Sequence, residues 1–180
     1  MNEGRTGAEI INIVFQRELH RVATPEEIKS LYAEKSRLFG TYTTTEAMPG
    51  AKELLEKTKR DGLIQMVVTG SGQLSLLDKL DYHYPGIFHK ELMVTAFDVK
   101  IGKPNPDPYL MALKKGGLQA KEAIVVENSP LGVEAAHRAG IFTVAVNTGP
   151  LDDTILLNAG ADLLFPSLTA FADAWDSLDL

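Results

Sequence analysis

The sequence predicts an α/β protein built on a doubly wound parallel sheet, and three observations carry that. From Met48 onward, apolar strand-like runs alternate with helical spacing, the order that builds a parallel sheet covered by helices. The run "LIQMVVTG" (63–70) is apolar on both faces towards its end, as a strand buried on each side must be. Residues 1–46, by contrast, show helical spacing and little strand signal, so a helical part at 1–46 is expected beside a sheet core at 47–180.

Each element has its own justification. Ile10, Ile11, Val14, Phe15 and Leu19 recur at three- and four-residue intervals and predict an amphipathic helix. "ATPEEIKSLYAEKSRLF" predicts a second, with Thr24 as N-cap, Pro25 at the first helical position, and Glu26 and Glu27 in the positive first turn. "GTYTTTEA" (40–47) reads as a hinge or linker. "PGAKELLEKTKRDG" starts a helix at a proline and stops it at Gly62. After the strand at 63–70 come a helix near 73–80, a strand near 91–95 and a helix from Pro106 to Lys115. A strand at 123–127 leads to a helix at 130–139, then a strand at 142–146. A helix near 152–159, the short strand "ADLLF" and a terminal helix complete the order. Trp175 sits on that terminal helix, where anchoring the core is the expected role.

At 180 residues the chain suits one well-buried domain, or one domain with a small appendage. Its net charge of −6 argues against polyanions, so nucleic acid is not an expected partner. A small anionic substrate needs a local cationic pocket against that background. There is no cysteine, which excludes disulfides and thiolate metal sites and fits a reducing cytoplasm. No run approaches the ~20 apolar residues of a membrane helix, and "IINIVF" (10–15) is too short for a secretory core. A soluble, cytoplasmic monomer without membrane contact is the expectation. His20, His83, His89 and His137 have no zinc-like spacing.

Ligands of such sheets bind beyond the carboxyl ends of the strands, and three strand ends there carry chemistry. In "VVTGSG" (67–72), Thr69 offers a hydroxyl, while Gly70, Ser71 and Gly72 turn the backbone so that its N–H groups face out as an anion cradle. An ordinary strand-to-helix turn is the plainer alternative. In "DVKIGKPNPDPYLMAL" (98–113), Lys103 lies on a loop stiffened by prolines, where a fixed ammonium could meet a phosphoryl group. Asp107 and Tyr109 read there as a helix-start partner and a packing residue. In "AIVVENSPLGVEAAHRAG" (123–140), Glu127 and Asn128 are hard oxygen ligands of the kind magnesium takes. Ser129 reads as a helix cap, and Gly132, Ala135 and Ala136 let that helix lie close to the sheet. A capped helix with a solvated glutamate is the alternative.

Taken in this order and spacing, "VVTGSG", "IGKPNPDPYLMAL" and "VVENSPLGVEAAHRAG" resemble the haloacid dehalogenase-like superfamily. "MPGAKELLEKTKRDG" before them and "GIFTVAVNTG" after them extend the match, and the β-phosphoglucomutase-like phosphatases are the most similar subgroup. The resemblance implies a Rossmann-like core at 47–180 and part of a helical cap at 1–46. It implies that Thr69 holds the transferring phosphoryl group and that Lys103 neutralises charge, with Glu127 and Asn128 in the magnesium-binding position. It further implies attack on phosphorus by an aspartate, a phosphoaspartate intermediate, and Mg2+ as cofactor. "GRTG" (4–7) corresponds to the cap loop over the substrate, so Arg5 and Thr6 are candidate substrate contacts, and Glu3 a candidate metal ligand on closure.

The family's Asp-x-Asp-Gly sequence, which supplies the nucleophile on the first core strand, does not occur among the 180 residues. Asp152-Asp153 and Asp179 follow no suitable strand, and Asp98 precedes the lysine loop. The expectation is a core lacking its first strand, inactive and poorly folded alone. The Glu-Asn pair brings one charge fewer than a Glu-Asp pair. With Glu3 as the compensating ligand, a small, highly charged substrate such as pyrophosphate becomes a candidate beside phosphate monoesters. A sugar-phosphate mutase, a non-catalytic phosphate-binding remnant, and an unrelated doubly wound binding domain are the alternative readings.

Overall fold

A computed structural model describes residues 4–42, 46–72 and 76–178. Two helices come first, α1 (Gly7–Leu19) and α2 (Pro25–Tyr42), packed against each other. Both begin with reciprocal caps. The Thr6 hydroxyl accepts from the Glu9 N–H (3.3 Å), and the Glu9 carboxylate accepts from the Thr6 N–H (2.8 Å). Thr24 and Glu27 repeat the arrangement, with Arg21 closing on Glu27. Such boxes satisfy N-terminal donors that a helix otherwise leaves open. The second helix runs on through Gly40, Thr41 and Tyr42, so the expected linker starts later than its composition suggests. The Thr41 hydroxyl donates to the Arg37 carbonyl at 3.0 Å, which removes the turn-forming tendency a free hydroxyl would have.

The remaining helices are α3 (Ala51–Arg60), α4 (Leu76–His83), α5 (Asp107–Gly116), α6 (Pro130–Arg138), α7 (Asp153–Asn158) and α8 (Leu168–Ala174). Three strands, β1 (Ile124–Glu127), β2 (Phe142–Val146) and β3 (Leu163–Phe165), pair in parallel in the order β1-β2-β3. On β2, alternate residues face opposite ways, as strand geometry requires. Val144 and Val146 pack with Leu54, Phe171 and Ala172 of α3 and α8. Ala145 packs with Val133 and Leu156 of α6 and α7. Helices therefore cover both faces, and the doubly wound expectation is met. Trp175 anchors as expected: its ring packs edge-on to Phe171 and its Nε1–H donates to Asp61 (2.7 Å).

One expectation needs correction. The strands expected at 63–70 and near 91–95 reduce to a single parallel bridge, Val68 with Val94. The Val94 N–H donates to the Val67 carbonyl and the Thr69 N–H to the Val94 carbonyl, each at 2.8 Å. Among the described residues no ladder joins this segment to β1. An apolar run needs a hydrogen-bonded neighbour to become a strand, and here Leu63 and Ile64 stay exposed.

Candidate active site at the strand ends

The side chains expected at the sheet rim do converge there, around a buried ion pair. Lys103 is only 4% exposed. Its ammonium is paired with Glu127 Oε1 and donates to the Val68 carbonyl at 3.1 Å. It also lies 4.8 Å from the centre of the Tyr109 ring, a cation–π distance. The Tyr109 hydroxyl donates to the same Glu127 Oε1 at 2.7 Å. The proline-rich loop delivers Lys103, and the first turn of α5 delivers Tyr109, so one short segment supplies both partners of Glu127.

The other carboxylate oxygen of Glu127 accepts from the Asn128 N–H (3.1 Å), the Ser129 N–H (3.2 Å) and the Ser129 hydroxyl (3.1 Å). Burial by itself would push the Glu127 carboxyl up. The Lys103 charge, then the hydrogen bonds from Lys103, Tyr109 and Ser129, outweigh burial and bring it below the usual carboxylate range. Tyr109 moves the other way: burial, then the Glu127 charge and hydrogen bond, holds its hydroxyl protonated well above the ordinary tyrosine value. Ser129 caps α6 as expected, its hydroxyl accepting from the Gly132 N–H. Gly132 has a sharper task than helix–sheet approach. A Cβ there would fall 2.2 Å from the Glu127 carboxyl carbon, so the missing side chain makes room for the carboxylate.

Thr69 closes the neighbouring strand end. Its hydroxyl accepts from the Ser71 N–H at 3.1 Å, which folds the turn back on itself. Gly70 faces the first helical segment: a Cβ at Gly70 would meet the Arg5 carbonyl at 2.6 Å and the Gly4 carbonyl at 2.8 Å. Gly4 in turn lies against Lys103 and Ser129. The structure thus brings residues 4–6, the Thr69–Gly72 turn, Lys103 and the Glu127–Ser129 tip together. Arg5 Nε is buried there without a hydrogen-bond partner. Thr6 is buried, and its hydroxyl is engaged with Glu9, so it has a capping task of its own. Glu3 lies outside the described residues.

The donor set was tested against magnesium, which takes about six oxygens in near-octahedral array. Both Glu127 oxygens already accept from the protein's own donors. Asn128 is exposed, and its Nδ2 donates to the Thr148 hydroxyl (3.1 Å). No group of three or more His, Asp or Glu side chains that could hold an ion occurs among the described residues. The described residues therefore do not complete a magnesium shell. Asp98 holds Lys115 (2.7 Å), Asp152 caps α7 and Asp153 accepts from the Asn147 amide (2.7 Å), while Asp179 lies outside the described residues.

Sequence reading missed two participants. Tyr109 was expected only to pack, and nothing in its spacing reveals that its hydroxyl reaches Glu127. Tyr32, from the middle of α2, accepts from the Gly72 N–H at 2.7 Å. It carries no motif, and only the seating of the helical pair on the rim loops brings it to the turn.

A parallel sheet with helices on both faces, and a buried lysine beside a threonine turn at its carboxyl rim, defines an α/β protein with a fixed cation at its strand-end rim. Comparison with known proteins narrows the class. The model of haloacid dehalogenase-like hydrolases matches residues 3–146. Hexitol phosphatase A of Escherichia coli K12 is 38% identical over 122 residues, 68% of this chain and 54% of that protein. The phosphorylated carbohydrates phosphatase of Thermotoga maritima is 34% identical over 137 residues, 74% of this chain and 61% of that protein. Among solved structures, a "putative beta-phosphoglucomutase" from Bacteroides vulgatus superposes with a TM-score of 0.93 at 60% identity, covering 98% of this chain and 72% of that one. The chain belongs to the haloacid dehalogenase-like hydrolase family, and it spans a little over half the length of the curated relatives it matches.

Proposed function

We propose that these residues form the phosphoryl-binding part of a phosphohydrolase acting on small phosphorylated substrates, sugar phosphates first among them. The observation that carries the reading is the buried Lys103, fixed between Glu127, the Tyr109 ring and the Val68 carbonyl, one residue from Thr69. A cation held this way needs no reorganisation when negative charge develops beside it. The Thr69 hydroxyl and the Gly70 backbone N–H would orient the phosphoryl oxygens, the Ser71 N–H being held by Thr69, and Arg5 would approach from the helical side with its free Nε. The names of the relatives support a sugar phosphate as substrate. The residues at 1–46 would act as a cap and those at 47–180 as the core.

The attacking carboxylate is not among the 180 residues, which contain no Asp-x-Asp sequence. The described donors do not complete a shell for magnesium, the metal that the family implies. A mutase reading rests on the likeness to the Bacteroides vulgatus protein, and a pyrophosphatase reading on Glu3.

Calorimetric titration of the 180-residue chain with inorganic phosphate, with and without magnesium, tests the site. Saturable binding is expected, weakened at least about tenfold in Thr69→Ala. Absence of binding in the parent chain overturns the reading. Hydrolysis of sugar phosphates or pyrophosphate is expected only after a segment with an apolar strand and an Asp-x-Asp-Gly sequence is added. Hydrolysis by the 180 residues alone would show that the attacking group lies among them, and would overturn this reading. Conversion of glucose 1-phosphate to glucose 6-phosphate, rather than release of free phosphate, would select the mutase.

A further inference from the structure

Three glycines of the rim face the helical pair. Beside Gly70, which meets the Gly4 and Arg5 carbonyls, Gly102 lies against the start of α1. A Cβ there would fall 2.6 Å from Glu9 Oε2 and 3.0 Å from the Thr6 nitrogen. Gly72 is buried, and its N–H donates to the Tyr32 hydroxyl. At Gly70 and Gly102 the approach leaves no room for a side chain, so these two glycines form a seat into which residues 4–9 fit, while Gly72 holds Tyr32.

Tyr32 touches both the start of α1 and the turn after Thr69. Its ring lies flush on Gly7, where a Cβ would come within 2.2 Å of Cε2. Its backbone belongs to the middle of α2, and its hydroxyl reaches Gly72, 40 residues further along the chain. The ring thus braces the first residue of α1 while the hydroxyl ties that brace to the turn after Thr69. Neither contact is needed for α1 or α2 to form, since both helices have complete caps of their own.

We propose that Tyr32 is a positioning residue, a latch that holds residues 4–6, and with them Arg5, seated on the glycines beside Lys103. Its consequence for ligand binding rests on the phosphoryl-site reading above; the latch itself does not. The seated segment brings Gly4 against Lys103 and Ser129, so the latched state favours a small phosphoryl group over a bulky one at that position.

Tyr32→Phe separates the two roles of the residue, because it keeps the ring on Gly7 and removes only the hydroxyl. Amide hydrogen exchange of the 180-residue chain, resolved by residue, is the primary measurement. The Gly72 amide and the first-turn amides of α1, Glu9 and Ile10, should all exchange about three- to tenfold faster, the span of one net hydrogen bond. The amides of β2 should not change. Faster exchange at Gly72 alone would reduce the contact to a local hydrogen bond and overturn the latch, and so would no change at either place. A second measurement compares inorganic phosphate binding by the parent chain and by Tyr32→Phe. A weakening of about threefold or more is expected once Arg5 is unseated, whereas equal affinities would overturn the claim that the latch positions Arg5. A parent chain that binds no phosphate would sink the phosphoryl-site reading and leave the exchange experiment to decide the latch.

Discussion

The stretch from Ile124 to Phe165 and the stretch from Leu63 to Thr95 both carry apolar runs toward the same rim, yet only the first is a sheet. In the first, β2 has a parallel neighbour on each side and helices on both faces, and Val144 and Ala145 are completely buried. In the second, one bridge joins Val68 to Val94, and Leu63 and Ile64 are exposed. The two stretches differ less in composition than in neighbours. A strand is defined by what it pairs with, and backbone groups without a ladder gain nothing from β-branched side chains. Among the described residues, side chains hold the two stretches together at the rim: Lys103 binds the Val68 carbonyl on one side and Glu127 on the other.

Cutting that tie should have the largest effect. Glu127→Gln leaves the Lys103 ammonium buried without a counter-charge, a loss of about 3–5 kcal/mol in comparable buried pairs. Urea unfolding at neutral pH measures it. The pH dependence follows from the direction of the Glu127 shift. A carboxyl held below its unfolded value stabilises the fold above that value, about 4.3, and the contribution fades as pH falls toward the lowered one. The parent chain should therefore lose more stability on acidification through this range than Glu127→Gln does, and the two should converge. Equal stability at neutral pH would mean that the pair does not join the halves.

A smaller effect, with the same logic, is expected at Gly132. Gly132→Ala adds one methyl in van der Waals conflict with the Glu127 carboxylate, which must shift or push α6 away. Forced overpacking of this kind costs about 1–3 kcal/mol. Because alanine favours a helix over glycine by up to about 1 kcal/mol, a net stabilisation would show that the carboxylate moves freely and that the pair is loosely held.

Much of this was legible in the sequence. Proline, glycine and cap residues placed most helices to within a few residues, since Thr24, Ser129 and Gly62 act through local chemistry that tertiary contacts do not override. The rim residues Thr69, Lys103, Glu127 and Asn128 were legible because strand ends of a parallel sheet converge. The failures were non-local. Strand status at 63–69 depends on a neighbour that the run itself cannot specify. Tyr32 and Tyr109 act through hydroxyls whose partners lie 40 and 18 residues away, at spacings that no periodicity encodes. The partners of Glu127 were not legible either: its oxygens accept from Lys103, Tyr109 and Ser129.

The smallest expected effect sharpens the comparison most. Ile64→Thr changes an exposed residue, 54% accessible, in a stretch without a ladder, and should alter stability by less than about 0.5 kcal/mol. Leu156→Ala, fully buried against Val133 and Ala145 on the other side of the molecule, should cost about 2–5 kcal/mol in the same denaturation experiment. The same Ile64→Thr, made after a strand-bearing segment has been added to the chain, becomes informative. If that segment pairs with residues 64–68, Ile64 should become buried, and the substitution should then cost at least about 1 kcal/mol, a lower bound for a buried ethyl group exchanged for a hydroxyl. A cost that stays near zero in the lengthened chain would place the added strand elsewhere. The exposed edge at Leu63 and Ile64 would then stay a surface of the lengthened chain rather than one side of a slot.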